Sequence, residues 1–242
     1  MSKKYYSHKY FSDRDHLDLH IAESIKLLAN DLPAGRQGYK LKAILDVGCG
    51  TGRIVKFLND KGFKAKGCDP SEIAVKLARK INKDPRTIIK ASATKLPFKP
   101  NSFDLVISMS VIEHLTLRQA QGFLKETCRA LKEKGLIFII TPNWATPIRL
   151  IQGKRWFGYS DPTHIKFYTP KSLWKLIKSY GFINPKWWFK TKYVPTFDWE
   201  FAKIFSKFPK SIKPFFIYLL FSTPLALMRN SFWMVAQKSM EK

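Results

Sequence analysis

Apolar runs and amphipathic stretches alternate along the first two thirds of the chain. Ala43, Ile44, Leu45 and Val47 make a short strand-like run, and Ile54, Val55, Phe57 and Leu58 then recur at helical spacing. Further strands are predicted at residues 63–69 and 87–91 and at Phe103–Met109, the last a near-continuous apolar run of the kind a strand buried on both faces needs. A helix over residues 123–131, stopped by Lys134 and Gly135, leads to a fifth strand at residues 136–142. Four strand–helix units and a fifth strand predict a doubly wound, mostly parallel α/β sheet. Thr169 and Pro170 supply a hydroxyl cap and a first-position proline for a later helix, which Gly181 ends. Ahead of the first strand, Leu17, Leu19, Ile21, Ile25, Leu27 and Leu28 follow an imperfect helical pattern. An aromatic, polar stretch with Tyr5, Tyr6, His8, Tyr10 and Phe11 precedes it, and residues 31–38 read as a loop.

The junction after the first strand narrows the chemistry. Asp46-Val47-Gly48-Cys49-Gly50-Thr51-Gly52 runs from strand through a glycine-rich turn into a helix, which lets a ligand approach bare backbone. The dinucleotide fingerprint needs a third glycine where this chain has Arg53, so a pyrophosphate ligand is disfavoured. An acid at the strand end suits an ammonium group instead. This run resembles motif I of the class I S-adenosylmethionine (SAM) methyltransferases. Asp69 ends the second strand 17 residues past Gly52; the resemblance places the ribose of SAM on Asp69 and the adenine near Pro70. A strand-end Asp can equally cap the following helix, as can Ser71. Ser92-Ala93-Thr94-Lys95-Leu96-Pro97-Phe98 is similar to the family's adenine-contacting Asp-Ala-x-x-Leu-Pro-Phe segment, with Ser92 replacing the usual acid. A hydroxyl accepts more weakly than a carboxylate, which lowers the expected adenine affinity. Phe-Asp-Leu-Val at Phe103, a small residue, then Glu113-His114-Leu115 also resembles the family, and Ser108 joins the implied cofactor-binding set of Asp46, Gly48, Gly50, Gly52, Asp69, Pro70, Ser92 and Ala93.

The resemblance implies a Rossmann-like doubly wound sheet of seven strands, mostly parallel, with an antiparallel last strand near residues 232–238. The chain is expected to form one domain, 1–242. Residues 1–40 form an N-terminal lid and helix, 41–143 the SAM-binding core, and 144–192 an acceptor-side loop, helix and sixth strand. A basic aromatic insertion at 193–230 precedes the final strand and tail, 231–242. Asp161-Pro162-Thr163-His164 followed by Tyr168-Thr169 resembles a segment of small-molecule and glycan-associated methyltransferases. His114 and His164 are the candidate catalytic residues, each able to take a proton from a hydroxyl acceptor or to orient it. No metal is expected, because Leu115 and Thr116 add no ligand to Glu113 and His114. The implied function is methyl transfer from SAM to a small-molecule, lipid-linked or glycan acceptor at oxygen.

Charge adds alternatives. Lys and Arg number 43 against 18 acids, a formal net charge of +25. Such a surface suits nucleic acid, an anionic membrane or an acidic substrate. A nucleic-acid methyltransferase is disfavoured, since neither an Asn/Asp-Pro-Pro-aromatic motif nor a Pro-Cys nucleophile is present. A non-catalytic SAM-fold scaffold on a membrane is the other alternative. Residues 171–242 hold 13 Lys/Arg against three acids amid many aromatics. The uncharged stretch 214–228 is shorter than the roughly 20 residues of a membrane span, and Pro224 interrupts it, so 193–230 is expected to lie on an anionic membrane surface or pack on its own sheet. Cys49, Cys68 and Cys128 show no metal spacing and are read as reduced. With no apolar leader at the N-terminus, the expected location is cytoplasmic, with membrane association on that face.

Overall fold

The computed structural model describes residues 6–12, 19–30, 41–187 and 223–240, with short pieces between 207 and 219. Most of the basic aromatic insertion and the loop at 31–38 lie outside the described residues. Seven strands, β1 (Ala43–Val47), β2 (Lys64–Asp69), β3 (Ile88–Lys90), β4 (Phe103–Met109), β5 (Leu131–Pro142), β6 (Phe182–Trp187) and β7 (Ser231–Lys238), form one sheet in the order β3-β2-β1-β4-β5-β7-β6. Strands β1 to β5 pair in parallel, and β7 runs antiparallel to both β5 and β6. Helices α1 (His8–Ser12), α2 (Leu19–Asn30), α3 (Arg53–Asp60), α4 (Glu72–Ile81), α5 (Leu117–Ala130), α6 (Pro147–Gln152) and α7 (Pro170–Lys178) are among the described residues.

Alternate side chains of each central strand enter opposite cores. Ile44, Leu105, Ile107 and Phe138 pack with α2, α3 and α4 through Ile25, Leu28, Val55, Leu58 and Val75. Leu45, Val47, Val106 and Ile139 pack with α5 and α7 through Phe123, Leu124, Leu173 and Ile177. The result is an α/β/α sandwich with a buried sheet. Asp104 in β4 accepts from the backbone N–H of Lys42 and Ala43 at 2.9 and 2.8 Å, setting the start of β1 beside it.

Two expected boundaries move. Helix α5 begins earlier, at a capping box in which Thr116 and Gln119 exchange side-chain and backbone bonds. It also ends earlier: buried Leu131 pairs with Phe103, so the chain turns straight into β5. Lys134 and Gly135, read as a helix stop, instead lie at a register shift within β5, where Lys134 has φ 58°. The sixth strand ends at Trp187 among the described residues.

Candidate active site

The sheet order reverses at β1, whose neighbours are β2 on one side and β4 on the other. Doubly wound sheets bind ligands at the carboxyl ends of strands beside such a switch point. The turn after β1 folds onto β2, with the N–H groups of Gly48 and Cys49 both donating to the Cys68 carbonyl at 2.7 and 3.0 Å. Gly48 has φ 78°, and a Cβ there would lie 2.3 Å from Val111 Cγ2, so glycine is required by conformation and by contact. That contact sets the turn against the loop following β4. Gly50, at φ 51°, faces open space, while Gly52 is the left-handed residue at the start of α3.

Asp46 and Asp69 stand at the ends of β1 and β2. Neither carboxylate oxygen of buried Asp46 has a hydrogen-bond partner. Burial, reinforced by the charge of Asp69, pushes the Asp46 carboxyl up to about 7. Asp69 accepts from Gly50 N–H at 3.0 Å and from Ser71 N–H at 2.8 Å; burial raises its pKa despite those bonds. Ser71, not Asp69, caps α4, its hydroxyl accepting from Ala74 N–H. Pro70 is exposed next to Asp69. The chain beyond β3 lies alongside, since Ala91 N–H donates to the Asp69 carbonyl at 3.1 Å. There Ser92 shares a 2.9 Å hydroxyl contact with Thr94, and Ala93 is buried. The hydroxyl of Ser108, inside β4, is buried without a partner.

His114 and His164, far apart in sequence, come together with ring centroids 4.7 Å apart. His114 ends a 3-10 turn, Ile112–His114, after β4. The backbone N–H groups of Ile165 and Lys166 both donate to the Glu113 carbonyl, at 2.9 and 3.0 Å, and dock the acceptor-side loop on that turn. Glu113 is fully buried; Thr141 donates to its Oε2 at 3.0 Å and its Oε1 has no partner. Burial is the main cause that pushes this carboxyl up to about 8.

Aromatic packing holds the loop. Trp144, Trp156, Tyr159 and Phe167 have neighbouring ring centroids 5.0–6.1 Å apart. Trp156 is fully buried and its Nε1 donates to Asn230 Oδ1 at 3.0 Å. Asn143 and Thr146 donate to the carbonyls of Leu227, Arg229 and Met228, tying the same loop to the entry of β7. Gly158 lies against the Trp156 ring, 2.1 Å from where a Cβ would stand, and its carbonyl accepts from His164 Nδ1 at 2.7 Å. Gly158→Ala is therefore expected to shift that carbonyl and release the His164 ring, with a stability loss of about 1–3 kcal/mol from overpacking; urea unfolding with NMR of the histidine ring protons checks both effects.

The described part of the N-terminal segment also reaches the pair. Tyr6 Oη lies 3.4 Å from Thr163 Oγ1 and 3.5 Å from His114 Nδ1, and Tyr10 donates to Asp161 at 3.3 Å. From the sequence, Tyr6 falls in the N-terminal lid and Gly158 and Thr163 in the acceptor-side loop without individual roles, and Val111 has no part in the site. For Gly158 the tryptophan two residues earlier was a usable hint, but no spacing signal joins Tyr6 to Thr163.

The fold and strand-end geometry define a class I methyltransferase architecture. Residues 45–139 match the family model for a methyltransferase domain. A SAM-dependent methyltransferase from Archaeoglobus fulgidus superposes with a TM-score of 0.61 at 20% identity, covering 96% of this chain and 95% of that one. Phosphoethanolamine N-methyltransferase 2 from Haemonchus contortus, solved with S-adenosyl-L-methionine, superposes with a TM-score of 0.60 at 17% identity over 98% of this chain and 59% of that one. In sequence, the chain is 42% identical over 99 residues to an uncharacterised protein of Methanocaldococcus jannaschii, spanning 40% of this chain and 36% of that protein. It is 28% identical over 170 residues to the ubiquinone biosynthesis O-methyltransferase of Bartonella quintana, 65% of this chain and 67% of that enzyme. Residues 45–139 thus carry a methyltransferase domain, and the described chain shares the fold of SAM-dependent methyltransferases. No described helix is long and apolar enough to cross a membrane.

Proposed function

We propose that this protein transfers a methyl group from SAM to a hydroxyl of a small molecule, with lipid-linked and glycan hydroxyls as candidate acceptors. The meeting of His114 and His164 at the turn that follows β4 carries the reading. The residues fit the cofactor. Asp46 offers two buried, unpartnered oxygens to an ammonium group, Gly50 leaves room for an amino-acid tail, and the carboxylate of Asp69 suits two ribose hydroxyls. Pro70, Ser92 and Ala93 bound the adenine side, with Gly48, Gly52 and Ser108 shaping the turn and the floor. The cofactor, when bound, supplies a methyl group already activated on a sulfonium sulfur.

The protein's task is then alignment and proton management. The turn at Gly48 packs on Val111, three residues before His114, so the methyl donor and the histidine pair share one wall. The pair receives the acceptor oxygen and takes or draws off its proton as the oxygen–carbon bond forms and the sulfur–carbon bond breaks. In this reading the mutually packed rings of Tyr6, Tyr10 and Phe11 cover the acceptor on the N-terminal side and keep water from it. Oxygen as the target atom is supported by the similarity to ubiquinone biosynthesis O-methyltransferases. The test is S-adenosylhomocysteine formation with panels of phenolic, sugar and lipid-linked alcohols. One panel is expected to turn over, and His114→Gln is expected to lower that rate about 10²- to 10⁴-fold with cofactor affinity unchanged. Turnover confined to amines or to RNA would overturn the oxygen reading.

A further inference from the structure

We propose that Glu113, His114 and His164 form a binding site for one divalent transition-metal ion, of the zinc type, on the acceptor side of the pocket. Each residue offers one ligand atom, and the three atoms lie within 4.8 Å of one another. Two imidazoles and one carboxylate are the donor set of open metal sites, which keep a coordination position for an exogenous oxygen. Four-coordinate zinc at about 2.0–2.1 Å from its ligands spaces them roughly 3.3 Å apart, so loading contracts the cluster by about 1.5 Å at most. Glu113 Oε1 is the second observation: a carboxylate oxygen with no hydrogen-bond partner on a side chain that is 0% exposed.

The surroundings orient both rings. His164 Nδ1 faces the Gly158 carbonyl, which only accepts, so the proton sits on Nδ1 and the lone pair on Nε2. His114 Nδ1 faces the Thr163 carbonyl at 3.2 Å and Thr163 Oγ1 at 2.8 Å. Thr163 Oγ1 donates its own proton to Asp161 Oδ1 at 2.5 Å, so His114 Nδ1 is again the donor and Nε2 carries the lone pair. A carbonyl or a polarised hydroxyl behind each imidazole is the arrangement that fixes ligating histidines. Thr163 is accordingly a positioning residue. The site deepens the methyl-transfer reading and rests on it for its use: with both Nε2 lone pairs on the metal the imidazoles would no longer act as bases, and the cation would instead lower the pKa of the acceptor hydroxyl so that its proton passes to solvent water; its existence does not depend on that reading.

The experiment is a Co(II) titration of the chelator-stripped full chain, read by visible absorption, with Zn(II) competition and metal analysis of the protein as purified. One equivalent is expected, with nitrogen–oxygen rather than thiolate bands, displaced by Zn(II) and not by Mg(II). Glu113→Gln and His164→Ala should each weaken binding at least tenfold while S-adenosylhomocysteine still binds, which shows that the fold is intact. Thr163→Val, with every ligand retained, should weaken it about 10- to 100-fold. Binding equal in wild type and all three variants, or none at all in a wild type that binds S-adenosylhomocysteine, overturns the site. A metal that binds without any hydroxyl acceptor turning over keeps the site and removes the oxygen-transfer reading.

Discussion

Asp69→Ala is expected to bind S-adenosylhomocysteine about 100-fold more weakly than the wild type, or not measurably. A carboxylate that accepts from two ribose hydroxyls makes charge-assisted bonds worth about 1.5–3 kcal/mol each. The acid also holds the N–H groups of Gly50 and Ser71, so alanine loosens the glycine turn as well as removing the ligand contact. Asp69→Asn separates the two losses. Its amide oxygen still accepts from one backbone N–H, and it is expected to lose about tenfold. Calorimetric titration of the three proteins, with circular dichroism to confirm folding, makes the comparison. Equal affinity across them would remove Asp69 from the cofactor site.

Asp46→Asn is expected to strengthen the free fold and weaken the complex. The ordinary carboxylate value is 3.8, and burial raises this one to about 7. Between those values the native protein binds the proton and the unfolded chain does not, so native stability contributed by this group falls as pH rises from about 4 through 7. A separation of about three units corresponds to at most about 4 kcal/mol. Asparagine carries no charge to desolvate, so the variant should be more stable than wild type at pH 8, by up to that amount, and similar at pH 4. Cofactor binding should change in the opposite sense. The ammonium group favours ionised Asp46, so wild-type affinity is expected to rise from pH 6 to pH 8, with proton release at the lower pH. The variant should bind roughly tenfold more weakly at pH 8, with that pH dependence diminished. Urea unfolding at both pH values and titrations in buffers of different ionisation enthalpy test this directly. Parallel pH profiles for the two proteins would show that Asp46 is not the titrating group. Such opposed effects are what a charged group held ready for a ligand should produce.

The cofactor half of the molecule was legible because its signals are local. Strands β1 and β4 are apolar runs, Asp46 stands at the end of β1 two residues before the first turn glycine, and Asp69 ends the next strand 17 residues past the last one. The acceptor half was less so. The sequence presents His114 and His164 as separate candidates, and the donation of Ile165 and Lys166 to the Glu113 carbonyl, with Thr163 against His114 Nδ1, brings them together. Backbone bonds of that kind leave no trace in residue type. Glu113 looked short of co-ligands because the third donor comes from a distant loop. Lys134 and Gly135 carried a true irregularity signal, but propensity alone does not distinguish the end of a helix from a break inside a strand. Strand order was hidden for the same reason as the histidine contact: pairing of β7 between β5 and β6 is decided by long-range packing.

That placement of β7 sets an order in time. Among the described residues strand β6 pairs only with β7, and β7 also fastens β5. A chain synthesised only as far as Asn230 can pair β1 to β5 and assemble both aspartates, yet β5 then presents a bare edge and β6 has no strand to join. The loop that carries His164 is moored by Trp156 and Asn143 to residues 227–230, immediately before β7. During synthesis the molecule is thus expected to become able to hold its cofactor before it can shape an acceptor pocket. In that interval the exposed edge of β5 is the surface most open to pairing with another chain.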